Sequence, residues 1–70
     1  MNKYEQRIIS TLNRLKGSCL KQSLMIDFNE AFTREVDLTI KLDAAIQSLV
    51  AKNQIQCINP DTGHYKIVPK

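Results

Sequence analysis

The stretch Gln54-Ile55-Gln56-Cys57-Ile58-Asn59-Pro60-Asp61-Thr62-Gly63-His64-Tyr65-Lys66-Ile67 decides how the rest of the chain is read. Ile55 and Cys57 alternate with Gln54 and Gln56, and Tyr65 and Ile67 alternate with His64 and Lys66. A period of two belongs to a strand with one buried face. Between the two runs stands Asn59-Pro60-Asp61-Thr62-Gly63, in which Pro60 fixes φ and Gly63 supplies positive φ. The pattern predicts a β-hairpin. Two strands alone are marginal in water, so the hairpin has to pack on what precedes it.

Upstream of the hairpin the period becomes helical. Leu38, Leu42, Ala45, Ile46 and Leu49 form one stripe and predict a helix over 38–52, with Asp37 as its cap. Lys52 suits the negative end of that helix, and Asn53 is its expected left-handed stop. Residues 33–36 read as a connection. Before them, Leu20, Leu24, Phe28 and Phe32 step by four, with Met25 and Ala31 widening the stripe and Lys21, Gln22, Asp27 and Glu30 facing away. This predicts a second helix over 19–31, with Ser18 as its N-cap. Tyr4, Ile8, Leu12 and Leu15, flanked by Ile9, predict a first helix over 3–16. Asn2 and Glu5 fit a capping box at its start, and Gly17 fits its end.

Three helices and a C-terminal hairpin, in this order and at this length, give an α+β fold. The expected architecture is a winged helix, a three-helix bundle with a β-hairpin wing, and one domain over 1–70. The pattern leaves room for a third strand, near Ser18 or near Val36, pairing with the hairpin.

Composition agrees with a single small core. The chain has 70 residues, 43% hydrophobic and 24% charged, with two glycines and two prolines, which argues against disorder. Apolar runs are too short for a membrane span, and no signal segment is expected at the N-terminus. The net charge of +3 permits contact with nucleic acid or an acidic protein without demanding it, because the ten basic residues are scattered. Cys19 and Cys57 are too few for a disulfide scaffold and lack metal-site spacing. They read as reduced, partly buried thiols of an intracellular protein, and spacing alone does not decide whether they pair.

Chemistry finds little support. The single histidine, His64, is expected as an exposed residue at the hairpin tip, with Asp61 near it in sequence. A mobile turn does not hold an acid–base pair rigidly. No ligand cluster or glycine-rich phosphate loop is visible. The expectation is a non-enzyme with no cofactor and no metal.

The third helix can be tested as a DNA reader by rotating about 100° per residue. The face opposite Leu38, Leu42 and Leu49 holds Ile40, Asp43, Ala44, Gln47 and Ala51, with Lys41 and Ser48 at one side. A groove of phosphates calls for many cations, and only Lys41 here and Lys66 on the wing supply them. A small apolar strip with a polar rim suits a protein partner better. Ile40, Lys41, Ala44, Gln47 and Ala51 are therefore the candidate partner-binding residues. Two readings stand beside this one: Ile40 is a tolerated surface residue, or the chain is a small DNA-binding transcriptional regulator using helix three and the wing.

Several positions also resemble a known family. Ile8, Ile9, Leu12 and Leu15 stand ahead of Leu20, and Leu24, Met25, Phe28 and Phe32 follow at similar spacing. Next come Val36-Asp37-Leu38, Ile46-Gln47, Val50, Asn53-Gln54-Ile55 and the ending Gly63-His64-Tyr65-Lys66-Ile67-Val68-Pro69-Lys70. Together these resemble the cullin-type C-terminal winged-helix domain, and most of all its form in the cullin-like scaffold of the anaphase-promoting complex. The likeness covers nearly the whole chain, mostly at core positions. It implies the C-terminal end of a longer scaffold, lying beside a RING subunit. That subunit recruits a ubiquitin-conjugating enzyme, which the domain helps to position for ubiquitin transfer to cell-cycle substrates in the nucleus and cytoplasm. The isolated domain would be a monomer. Typical cullins carry, late in the first helix, a lysine that accepts a ubiquitin-like modifier. Here Arg14 takes that place by hydrophobic alignment of helix one, or Ser10 by ungapped alignment through helix two; neither can form the isopeptide bond. Lys16 is nearby and is not assigned the role.

Overall fold

A computed structural model describes residues 2–68. In chain order the elements are α1 (Lys3–Arg14), β1 (Ser18–Leu20), α2 (Lys21–Ala31), α3 (Leu38–Ala51), β2 (Ile55–Asn59) and β3 (His64–Ile67). The fold is α+β: three helices packed on a small antiparallel sheet of order β1-β3-β2.

The first helix begins with the expected capping box. Asn2 Oδ1 accepts from the Glu5 amide at 2.9 Å, and Glu5 Oε1 accepts from the Asn2 amide at 3.4 Å. The helix ends two residues sooner than expected. Gly17 has φ +90°, but the left-handed turn already starts at Lys16, with φ +66°. The Gly17 amide then closes onto the Leu12 carbonyl at 2.6 Å.

After Gly17 the chain departs from the expected helix. Residues Ser18–Leu20 form β1, paired with β3 in the register Ser18↔Lys66, Cys19↔Tyr65 and Leu20↔His64. Ser18 is thus a strand residue and not an N-cap, and α2 starts only at Lys21, with no side-chain cap. The reason lies in backbone accounting. β3 would otherwise present a bare edge, and β1 supplies its missing partners. Two further bonds extend the pairing, from the Ile67 amide to the Gly17 carbonyl (2.8 Å) and from the Lys21 amide to the Gly63 carbonyl (2.7 Å). Leu20, read as part of a buried helical stripe, is 40% exposed.

The hairpin forms as expected between β2 and β3, with a bulge between Cys57 and Asn59. Its glycine is required: Gly63 has φ +71°, and a Cβ there would lie 3.1 Å from Lys21 Cβ. His64 is not at the tip. It is half-buried in the central strand.

The core joins all three helices and the sheet. Ile8, Leu12, Leu24, Phe28, Leu42 and Leu49 are fully buried, with Ala45, Ile46, Cys19 and Ile55 close to it. Tyr4, Ile9, Met25, Phe32, Leu38, Tyr65 and Ile67 close its margins. Ala31, expected to widen the buried stripe of α2, is exposed. Phe32 stands edge-on to both Tyr4 and Phe28, each at 5.2 Å between ring centroids.

Asp27 reverses an expectation. The sequence pattern predicts it on the outer side of the second helix, yet it is buried, at 5% exposure. It accepts from Arg7 Nε (2.7 Å), Arg7 Nη2 (2.8 Å), Thr11 Oγ1 (2.8 Å) and Arg14 Nη2 (3.1 Å). Position 27 follows Leu24 by three and so shares its face. Four donors from α1 meet the need of a buried carboxylate.

Asp37 precedes α3 but does not cap it with its side chain. Its φ is +57°, away from the extended geometry a capping side chain needs. Only its carbonyl serves the helix, accepting from the Lys41 amide at 3.0 Å. Asn53 does adopt the expected left-handed stop, with φ +58°. Lys52 is the C-cap residue, so α3 stops one residue earlier than expected. Among the described residues no helix is long and apolar enough to cross a membrane.

Candidate partner-binding face

The third helix is gripped along both flanks, and this sets which side chains it shows to solvent. On the α1 side, Ser48 Oγ and Lys52 Nζ reach Glu5 Oε2 at 3.2 and 3.0 Å. On the same flank Lys41 Nζ meets Glu35 Oε1 at 3.2 Å and lies 5.8 Å from the Tyr4 ring centroid. On the opposite flank Asp43 pairs with Lys21 at the start of α2. Near the helix start, Thr39 Oγ1 contacts Met25 Sδ at 3.8 Å. Leu42, Ala45, Ile46 and Leu49 face the core.

What remains outward is Ile40, Ala44, Gln47 and Ala51, all exposed, with Ile40 at 68%. The structure therefore brings four of the five candidate residues onto one surface. Lys41 is the exception. Its ammonium turns away to Glu35, so it borders the face and does not line it. Asp43, which the rotation put on this face, also lies at its edge and is engaged by Lys21. Val50 flanks the same side at 39% exposure, and Val36, just ahead of the helix, is 72% exposed. Sequence reasoning passed over these two valines, although Val50 lies seven residues beyond Asp43 and shares its flank.

Glu35 organises the rim. It accepts from the Tyr4 hydroxyl and pairs with Lys3 (3.0 Å) and Lys41 (3.2 Å). The Tyr4 hydroxyl first, then Lys3 and Lys41, hold the Glu35 carboxyl down to about 2. The same contacts raise Lys3 and Lys41, with Glu35 as the main cause for both. Lys52 chiefly holds the Glu5 carboxyl below its usual range. Arg7, and then Thr11 and Arg14, do the same for Asp27 against the opposing effect of burial. Burial pushes the Cys19 thiol and the Tyr65 hydroxyl up.

The basic residues are largely spent within the fold. Lys3, Arg7, Arg14, Lys21, Lys41 and Lys52 pair with only four carboxylates, Glu5, Asp27, Glu35 and Asp43. Arg14 is one of the Asp27 partners. A shallow groove between α1 and the end of α2 is lined by Lys3, Arg7, Ser10, Ala31 and Phe32 among others, but both of its cations are engaged.

No group of three or more metal-binding side chains comes together among the described residues. Cys19 and Cys57 are both free thiols. They pair with opposite sides of Tyr65, so two strand spacings, about 9–10 Å, separate their backbones. That exceeds the reach of a disulfide. No family profile, no curated protein and no solved structure matches this chain.

Proposed function

We propose that this chain is a winged-helix adaptor of the cullin type, the closing domain of a cullin-like scaffold in the anaphase-promoting complex. In this reading α3 takes the position of a recognition helix, and β2 and β3 form the wing. The domain catalyses nothing. It helps position a ubiquitin-conjugating enzyme, recruited by a RING subunit, for transfer of ubiquitin to cell-cycle substrates.

One observation carries the protein-binding part: the outward face of α3 is uncharged. Ile40, Ala44, Gln47 and Ala51 offer no cation to a phosphate, and Lys41 is held by Glu35. A DNA-reading helix gains affinity from phosphate contacts and specificity from Arg, Lys, Asn and Gln. Here Gln47 alone supplies that chemistry. The small side chains at 44 and 51 let a partner backbone approach closely, beside one aliphatic anchor at 40.

The test is a pair of titrations of the isotope-labelled domain at moderate salt, one with a ubiquitin-conjugating enzyme and one with duplex DNA. The adaptor reading expects amide shifts at 40, 44, 47 and 51 with the enzyme and none with DNA. Ile40→Glu and Ala44→Arg should each weaken that binding while leaving the circular dichroism unchanged. Salt-steep DNA binding through α3 would overturn the reading in favour of the transcriptional regulator. Unchanged enzyme affinity in both variants would exclude this face.

A further inference from the structure

We propose that the outer face of the sheet is a second interaction surface, which takes an extended segment of a partner protein rich in acidic and apolar side chains. Tyr65, Ile67, Cys19 and Ile55 point into the core, so the alternate residues of all three strands point away from it. Two cross-strand rows result. Ser18, Lys66 and Gln56 make one. Leu20, His64 and Asn59 make the other, with Ile58 unpaired at the bulge beside Asn59. Partners in such rows stand about 5 Å apart, close enough to act as one patch.

The chemistry of the patch is specific. Leu20 is 40% exposed and Ile58 48%, which gives two apolar contacts on either side of the central strand. No carboxylate lies on any of the three strands, and Asp61 stands beyond them in the turn. Elsewhere in the fold most cations are matched by acids, but Lys66 makes no ion pair among the described residues. Neither does Lys16, beside the Gly17 carbonyl that receives the Ile67 amide. An uncompensated cation one row along from the exposed Leu20 and Ile58 complements a segment that carries carboxylates beside apolar groups. The only ring on this face is the half-buried imidazole of His64, so single-stranded nucleic acid, which stacks successive bases on aromatic side chains, fits less well.

The experiment titrates the labelled domain with a short capped peptide alternating glutamate with leucine. A lysine-for-glutamate peptide and a single-stranded DNA serve as comparisons. Saturable shifts should appear over 18–20, 56–58 and 64–66 with the acidic peptide. Lys66→Glu and Ile58→Ser should each weaken binding by about fivefold or more, with unchanged circular dichroism. No shift at millimolar peptide, an equal response to the lysine peptide, or shifts confined to α3 would each overturn the proposal. Tighter saturation of the same residues by the DNA would overturn it in favour of a nucleic-acid surface.

Discussion

At the residue scale, Asp27 ties α1 to α2 through four hydrogen bonds to Arg7, Thr11 and Arg14. Replacing it with alanine removes the acceptor and leaves the buried Thr11 hydroxyl and two guanidinium groups without their partner. Asp27→Ala should cost about 2–3 kcal/mol, read from urea unfolding. Gly63→Ala should cost about 1–2 kcal/mol, since it combines a positive φ with a close approach to Lys21. Lys16→Gly should act in the opposite direction and raise the melting temperature slightly, because φ +66° costs a lysine more than a glycine. Glu35 makes stability depend on acid. Its folded value near 2 lies below the ordinary 4.5, so its contribution is present in full above that ordinary value. The contribution is lost as pH falls from 4.5 toward 2. Glu5 and Asp27 shift in the same direction and add to this loss. Tyr4→Phe removes the largest cause of the Glu35 shift. An NMR titration of its carboxyl should then show a midpoint closer to the ordinary value.

At the element scale, the helices rest on a few large side chains. Phe28→Ala and Leu42→Ala should each cost on the order of 2–5 kcal/mol through cavity formation, enough to unfold much of so small a domain. Circular dichroism in urea would measure it. The same elements show what a sequence reveals. The buried stripe of α3 and the alternation of β2 and β3 are legible because each is a local period imposed by one buried face. Strand β1 is not, because its only reason to be extended is a partner 48 residues away, at Lys66 for Ser18. Leu20 continues the spacing of Leu24 and Phe28, so a local reading runs the helix through it. Asp27 misleads for a related reason: charge suggests an outer face, while position suggests an inner one. The resolving signal was present in α1, where Arg7, Thr11 and Arg14 stand on one face at intervals of four and three. Four of the five candidate face residues were legible because a helix keeps its angular spacing whatever it packs against. Lys41 was not, since a long side chain goes to its counter-charge, and Glu35 arrives through an irregular connection.

At the scale of the whole molecule, the internal ion pairs set how the domain meets its surroundings. Six cations are committed to four carboxylates, which leaves Lys16, Arg34 and Lys66 as the cations without an ion pair among the described residues. The register also fixes the redox behaviour. Mild oxidation should yield no intramolecular bridge between Cys19 and Cys57, and intact-mass measurement with a thiol label should find both thiols reactive after unfolding. A bridge formed in the native state would require the sheet to open.

The order β1-β3-β2 bears on how the chain acquires its shape during synthesis. Both outer strands are made before the one that bridges them. Until His64–Ile67 has cleared the ribosome, the emerging polypeptide carries two orphan edges with no template, together with a half-lidded cluster of aliphatic groups. Assembly of this domain is therefore a closing event, in which the latest-made strand locks in what came first.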